Sequence, residues 1–126
     1  MSIRRYNKHT DESRLMEMIQ NEEGWDYAED SIATQYKKAL ETSITYVADE
    51  NGEICGYSRS LDDFGIYIYV CDLLVRPDYR GKGLGRQLME ILCKDFPNQT
   101  TFVMSDVDEY YQKLKYSRAG SIFQVG

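Results

Sequence analysis

The chain has 126 residues, 15 Lys and Arg against 21 Asp and Glu, and a formal net charge of −6. That length holds one hydrophobic core, so residues 1–126 are read as a single domain. The acidic balance disfavours a general nucleic-acid binder, because a phosphate backbone needs a cationic surface. A hydrophobic fraction of 42% is too high for a disordered chain.

Cys55, Cys71 and Cys93 show no metal-ligand spacing, and His9 is the only histidine. Neither a metal centre nor a Ser-His-Asp triad is therefore expected. The N-terminus has no apolar core resembling a signal peptide. The longest nearly apolar run, residues 66–75, is about half a membrane span and contains Asp72. A cytoplasmic protein with no membrane or nucleic-acid partner is expected.

Residues 3–6 form a short first strand. Thr10 or Asp11 then caps a helix over 11–21, with Leu15, Met18 and Ile19 at helical spacing. Asn21-Glu22-Glu23-Gly24 ends it, and a second helix is predicted over 30–41. Residues 44–49 are β-branched and aromatic and read as a strand. Asn51-Gly52 signals a tight hairpin into a strand over 54–59. Residues 61–65 read as a loop, and 66–75 as a central strand, apolar on both faces. Leu84, Leu88, Ile91 and Leu92 define a helix over 84–95. A strand at 100–104, a short helix at 106–115 and a last strand at 122–125 complete a β-αα-βββ-α-β-α-β order, an α/β layer fold.

The most informative stretch runs from Leu73 to Arg86: a strand end, a glycine-rich turn and a helix N-terminus. Free amides and the partial positive charge of a helix N-terminus favour phosphate. Glycines allow close backbone approach to an anion. Arg76, Arg80, Lys82 and Arg86 stand against only Asp78, a local balance of +3 in a chain of net −6. A solvated strand-to-helix turn has the same outline. The P-loop pattern is missing, and the dinucleotide fingerprint fails at Arg86 and Leu88.

Arg80-Gly81-Lys82-Gly83-Leu84-Gly85 resembles the Arg/Gln-x-x-Gly-x-Gly/Ala acyl-CoA loop of the Gcn5-related N-acetyltransferase family. The preceding strand, which ends in Val75-Arg76-Pro77-Asp78-Tyr79, is similar to the family's. Tyr111-Gln112-Lys113-Leu114-Lys115-Tyr116 is similar to its Tyr-x-Lys-x-Gly-Phe, with Lys115 in place of glycine. The resemblance covers nearly the whole chain in element order. It implies an α/β (α+β) fold with a mixed, mostly antiparallel central sheet, helices on both faces and a V-shaped splay between the fourth and fifth strands. Few residues follow Tyr116, so the last strand is truncated or supplied by a partner subunit, and a homodimer is expected.

The implied activity is acetyl transfer from acetyl-CoA to a primary amine by direct attack in a ternary complex. The alternative is a non-catalytic acyl-CoA-binding or regulatory module of the same fold. Backbone groups of Leu73 and Val75 would pair with the pantetheine arm, Leu73 also serving as oxyanion donor. Gly81, Lys82, Gly83, Leu84 and Gly85, with Arg80 and Arg86 nearby, would hold the pyrophosphate. Tyr111 would protonate the thiolate, with Tyr110 the match if the helix register slips. Asp72 is either the general base or a structural carboxylate, and Tyr67 and Tyr69 offer a water relay in its place. Trp25 and Tyr27, among several acids, are expected to line the amine pocket by cation–π and charge pairing.

Overall fold

The computed structural model describes residues 1–126. Its strands are β1 (Ser2–Arg5), β2 (Ile44–Glu50), β3 (Glu53–Asp62), β4 (Tyr67–Val75) and β5 (Thr100–Val103). Its α-helices are α1 (Lys8–Gln20), α2 (Ala33–Thr42), α3 (Leu84–Asp95) and α4 (Asp108–Lys113). Short 3-10 turns lie at Asp26–Ala28 and Pro77–Tyr79. The strands lie in the order β1-β2-β3-β4-β5, antiparallel except for the parallel β4–β5 pair.

Two apolar layers sandwich this sheet. Leu15 and Ile19 of α1 and Tyr36 and Leu40 of α2 pack on Val47, Tyr57 and Leu74. Leu84, Leu88 and Leu92 of α3 pack on Ile44, Tyr46, Ile68 and Val70 of the opposite face. α3 spans the residues its periodicity predicts.

Local chemistry moves other boundaries. The cap of α1 is Asn7, whose side chain accepts from the His9 amide, rather than Thr10 or Asp11. Asp11 lies one turn inside, accepts from the Asn7 amide at 2.7 Å and is fully buried against the Arg4 guanidinium. Its oxygen thus serves the helix start from within. At the hairpin, Asn51 and Gly52 have φ of 53° and 88°, as a two-residue type I′ turn requires. β3 runs on through Leu61 and Asp62, because these pair with Tyr69 and Ile68. α4 starts at Asp108, with Ser105 donating to the Asp108 carboxylate at 2.7 Å. No strand forms at 122–125, where Ile122, Phe123 and Val125 are exposed.

β4 gives apolar residues to both layers, with Asp72 the buried exception. Ile68, Val70, Asp72 and Leu74 are buried, and the intervening residues are half-buried. A β-bulge divides the strand. Ser60 pairs with Val70 and Arg59 with Asp72, so Cys71 has no partner on β3. One extra residue exchanges the faces of a strand. Ile68 and Val70 accordingly point into the α3 layer, while Leu74 points into the α1–α2 layer. β5 follows β4 only from Tyr67 to Val70, and the last bond is from the Met104 amide to the Val70 carbonyl, 3.0 Å. Beyond the bulge the two strands part.

Candidate active site

The C-terminal half of β4 has a free edge, and its orientation follows from one hydrogen bond. The Arg76 amide donates to the Cys55 carbonyl on β3 at 2.9 Å. All peptide bonds are trans, so the Val75 carbonyl points the opposite way, toward the free edge. Alternation in an antiparallel pair puts the Leu73 backbone groups on the same side. This edge leads into Pro77–Tyr79 and the glycine turn. Gly81 and Gly83 have φ of 79° and 78°, a region that penalises any side chain. Gly83 also stands at the cap of α3 with no side chain to occupy the first-turn amides. These amides and the open turn fit a phosphate group.

The basic side chains are less free than their local charge balance implies. Arg76 pairs with Asp78 at 3.0 Å, Arg86 with Glu90 at 2.9 Å and Arg80 with Glu22 at 2.9 Å. Lys82 has no acidic partner; its ammonium lies 5.3 Å from the centre of the Tyr79 ring, with the Arg76 guanidinium 5.4 Å from the same centre. Arg80 Nε also donates to the Val75 carbonyl at 2.8 Å.

The two tyrosines of α4 have different surroundings. A Cβ at Gly85 would collide with the Tyr110 hydroxyl and would lie 3.7 Å from Leu73. Tyr110 therefore reaches the first turn of α3 beside the free half of β4. Tyr111 packs into the α3 layer, and burial pushes its phenol up to about 12. Lys115 takes φ of 66°, the left-handed conformation in which glycine commonly ends a helix.

On the other face, Asp72 is 6% exposed and surrounded by donors. Arg59 Nε donates to it at 2.6 Å, the Tyr36 hydroxyl at 2.7 Å and the Tyr27 hydroxyl at 3.2 Å. Burial and the Asp72 charge raise the Tyr27 and Tyr36 phenols, which keeps both as neutral donors. Tyr27 stacks on Tyr36 at 4.1 Å, and Trp25 meets Tyr27 and Tyr57 edge-on. Next to Trp25 is a cavity of about 510 Å³ edged by Glu22, Glu23, Asp26, Glu29 and Asp30. Tyr67 and Tyr69 lie elsewhere. They alternate with Ile68 and Val70, and with Phe102 they form a half-buried cluster whose ring centres are 5.2 to 5.9 Å apart.

The acetyltransferase (GNAT) family model matches residues 11–115. This chain belongs to the acetyltransferase (GNAT) family. Among curated relatives, it is 34% identical over 73 residues to the histone acetyltransferase TAP1 of Glycine max, covering 54% of this chain and 32% of that protein. The chain thus spans about a third of that relative's length. Among solved structures, glucosamine-6-phosphate N-acetyltransferase of Arabidopsis thaliana aligns with TM-score 0.69 and 17% identity, over 99% of this chain and 97% of that one. An integron cassette protein of V. cholerae aligns with TM-score 0.75 and 18% identity, over 99% and 91%. At these identities the two structures speak for the fold alone. No helix is long and apolar enough to cross a membrane.

The GNAT fold brings Leu73, Val75, Arg80 and residues 81–86 together with Tyr110. It gathers Asp72, Trp25 and Tyr27 on the opposite face and leaves Tyr67 and Tyr69 in a separate cluster. The sequence reading missed Arg59, Tyr36, Tyr57 and Phe102. Arg59 carried a usable signal: a lone arginine in an apolar strand needs a buried partner as much as Asp72 does. Tyr36 and Tyr57 carry no such signal, because their hydroxyl contact at 2.6 Å depends on tertiary packing.

Proposed function

We propose that this chain is an acetyl-CoA-dependent N-acetyltransferase that moves an acetyl group to a primary amine by direct attack in a ternary complex. The observation that carries this reading is the free edge of β4 running into an uncapped helix N-terminus. Such an edge takes an extended arm as a further strand would, through Leu73 and Val75. Gly81, Lys82, Gly83, Leu84 and Gly85 then offer amides to a diphosphate, with Lys82 the cation least committed elsewhere. Bound acetyl-CoA supplies the activated acyl thioester.

The Leu73 amide stabilises the oxygen on which charge develops. Tyr110, whose hydroxyl lies against Gly85 in the first turn of α3, donates the proton to the departing thiolate in preference to Tyr111. Asp72 is a positioning anion: with Arg59 and two phenols on it, its oxygens are committed to holding the aromatic wall. Deprotonation of the amine falls to water, since Asp72 is committed and Tyr67 and Tyr69 stand in a separate cluster. Trp25, Tyr27 and the neighbouring carboxylates favour a cationic acceptor. The outer edge of β5 and the exposed apolar residues after Tyr116 favour a homodimer, and light scattering that finds only monomer removes that part.

The test is thiol release from acetyl-CoA across a panel of amines, alongside isothermal titration. Binding with release is expected. Binding without release from any amine supports the non-catalytic acyl-CoA module instead. Tyr110→Phe is expected to lower kcat by about 10²-fold, and by more than Tyr111→Phe does; the reverse order returns the role to Tyr111.

A further inference from the structure

Arg80 touches both halves of the site. Its Nε donates to the Val75 carbonyl on the free edge of β4, and its Nη2 donates to Glu22, just beyond α1. Glu22 borders the cavity beside Trp25 and also the groove that holds Arg76 and Asp78. Glu22, Glu23, Asp26, Glu29 and Asp30 all edge the first cavity, and Glu22 is the one among them paired with a base. The pair is partly in solvent: the Arg80 side chain is 50% exposed and the Glu22 side chain 19%. With its cation that open to water, the pair is worth little. A diphosphate on the adjoining amides of residues 81–85 offers a guanidinium more charge than one carboxylate can.

We propose that Arg80 is a positioning residue whose transfer from Glu22 to the diphosphate of bound acetyl-CoA releases Glu22 to receive the cationic amine. This rests on the acyl-CoA reading above. The transfer is short in chain terms, since Arg80 directly precedes Gly81. It alters the charge of the Trp25 cavity by one unit without moving a helix. Because coupling is reciprocal, an amine on Glu22 also favours Arg80 on the diphosphate. Each substrate then tightens the site of the other.

The experiment is isothermal titration of CoA into the wild type, Glu22→Gln, Glu23→Gln, Arg80→Gln and the Glu22→Gln/Arg80→Gln double variant. Equal melting temperatures serve as the folding control. Without its competing carboxylate, Glu22→Gln is expected to bind CoA about 2- to 5-fold tighter. Glu23→Gln removes the same charge without touching Arg80, and a smaller shift is expected. In the Arg80→Gln background the Glu22 effect is expected to vanish. With acetyl-CoA saturating, Glu22→Gln is also expected to raise the KM of the accepted amine.

Equal shifts in Glu22→Gln and Glu23→Gln would reduce the effect to general charge and overturn the proposal. An unchanged CoA affinity in Glu22→Gln overturns it as well, as does a Glu22 effect that survives without Arg80. A wild type that binds no CoA sinks the acyl-CoA reading and this proposal together. Wild-type binding with no Glu22 dependence sinks the coupling alone.

Discussion

The two faces of β4 are built by different means. Toward α3 the site is mainly backbone: a free strand edge, two left-handed glycines and the amides of a helix start. Toward α1 and α2 it is side chain: a buried carboxylate, a guanidinium and three hydrogen-bonded phenols. Backbone chemistry tolerates sequence change wherever the turn conformation survives. A side-chain network fails when one member is lost. The first arrangement suits a co-substrate of fixed shape, and the second suits a surface that can be retuned.

The largest expected effect tests the side-chain face. Asp72→Asn leaves the Arg59 charge buried without its partner and is expected to cost about 3–5 kcal/mol in urea unfolding. Adding Arg59→Leu should recover part of that loss. A cost below about 1 kcal/mol would mean that the network is slack.

The other end of the sheet holds a second buried carboxylate, Asp11. The Asp11 carboxyl is raised by burial, but the Arg4 fork, the Asn7 amide and the Thr10 hydroxyl outweigh this and hold it below its usual range. Arg4 and the Gly52 amide do the same for Asp49. Depressed folded values contribute stability that is complete above the unfolded carboxylate range. It is lost as pH falls below about 4 through the folded values. Asp11→Asn should flatten this acid limb in a pH series of chemical melts, at a cost of about 2–4 kcal/mol at neutral pH.

The backbone face is tested by Gly83→Ala. Its φ of 78° makes any side chain cost about 1–2 kcal/mol. Because that strain falls on the phosphate turn, CoA affinity should drop about 5- to 30-fold while α3 itself stays folded by circular dichroism. The smallest effect is a gain. Lys115 sits at φ 66° where the family motif has glycine, and Lys115→Gly should stabilise the chain by up to about 1 kcal/mol. A loss of melting temperature in that variant would show that the Lys115 side chain contributes more than its backbone costs.

The same division explains what the sequence disclosed. Gly81, Gly83 and the basic residues around them form a contiguous run, so the anion-binding turn could be read directly, as could the periodic α3. The charge balance of that run misled, because Glu22 and Glu90 lie outside the counted window and neutralise Arg80 and Arg86. Asp72 was visible as an anomaly in an apolar strand, but its partners come from α2, β3 and the segment between the first two helices. Arg59 and Asp72 are direct cross-strand neighbours only because of the bulge register, which no local pattern encodes. The start of α1 was misread because Asn7 lies outside the apolar periodicity and Asp11 looked like an ordinary surface cap.

The unpaired Cys71 acts as a parity shift in the molecule's wiring. Upstream of it, even-numbered residues of β4 serve the α3 layer; downstream, they serve the opposite one. Deleting that single residue would return the strand to simple alternation. Val70 would still face α3, and the carboxylate paired with Arg59 would still face α1 and α2, so the two layers would keep their residues and only the bulge would be lost. The same insertion is thus the joint at which the sheet can open without exchanging its inside for its outside.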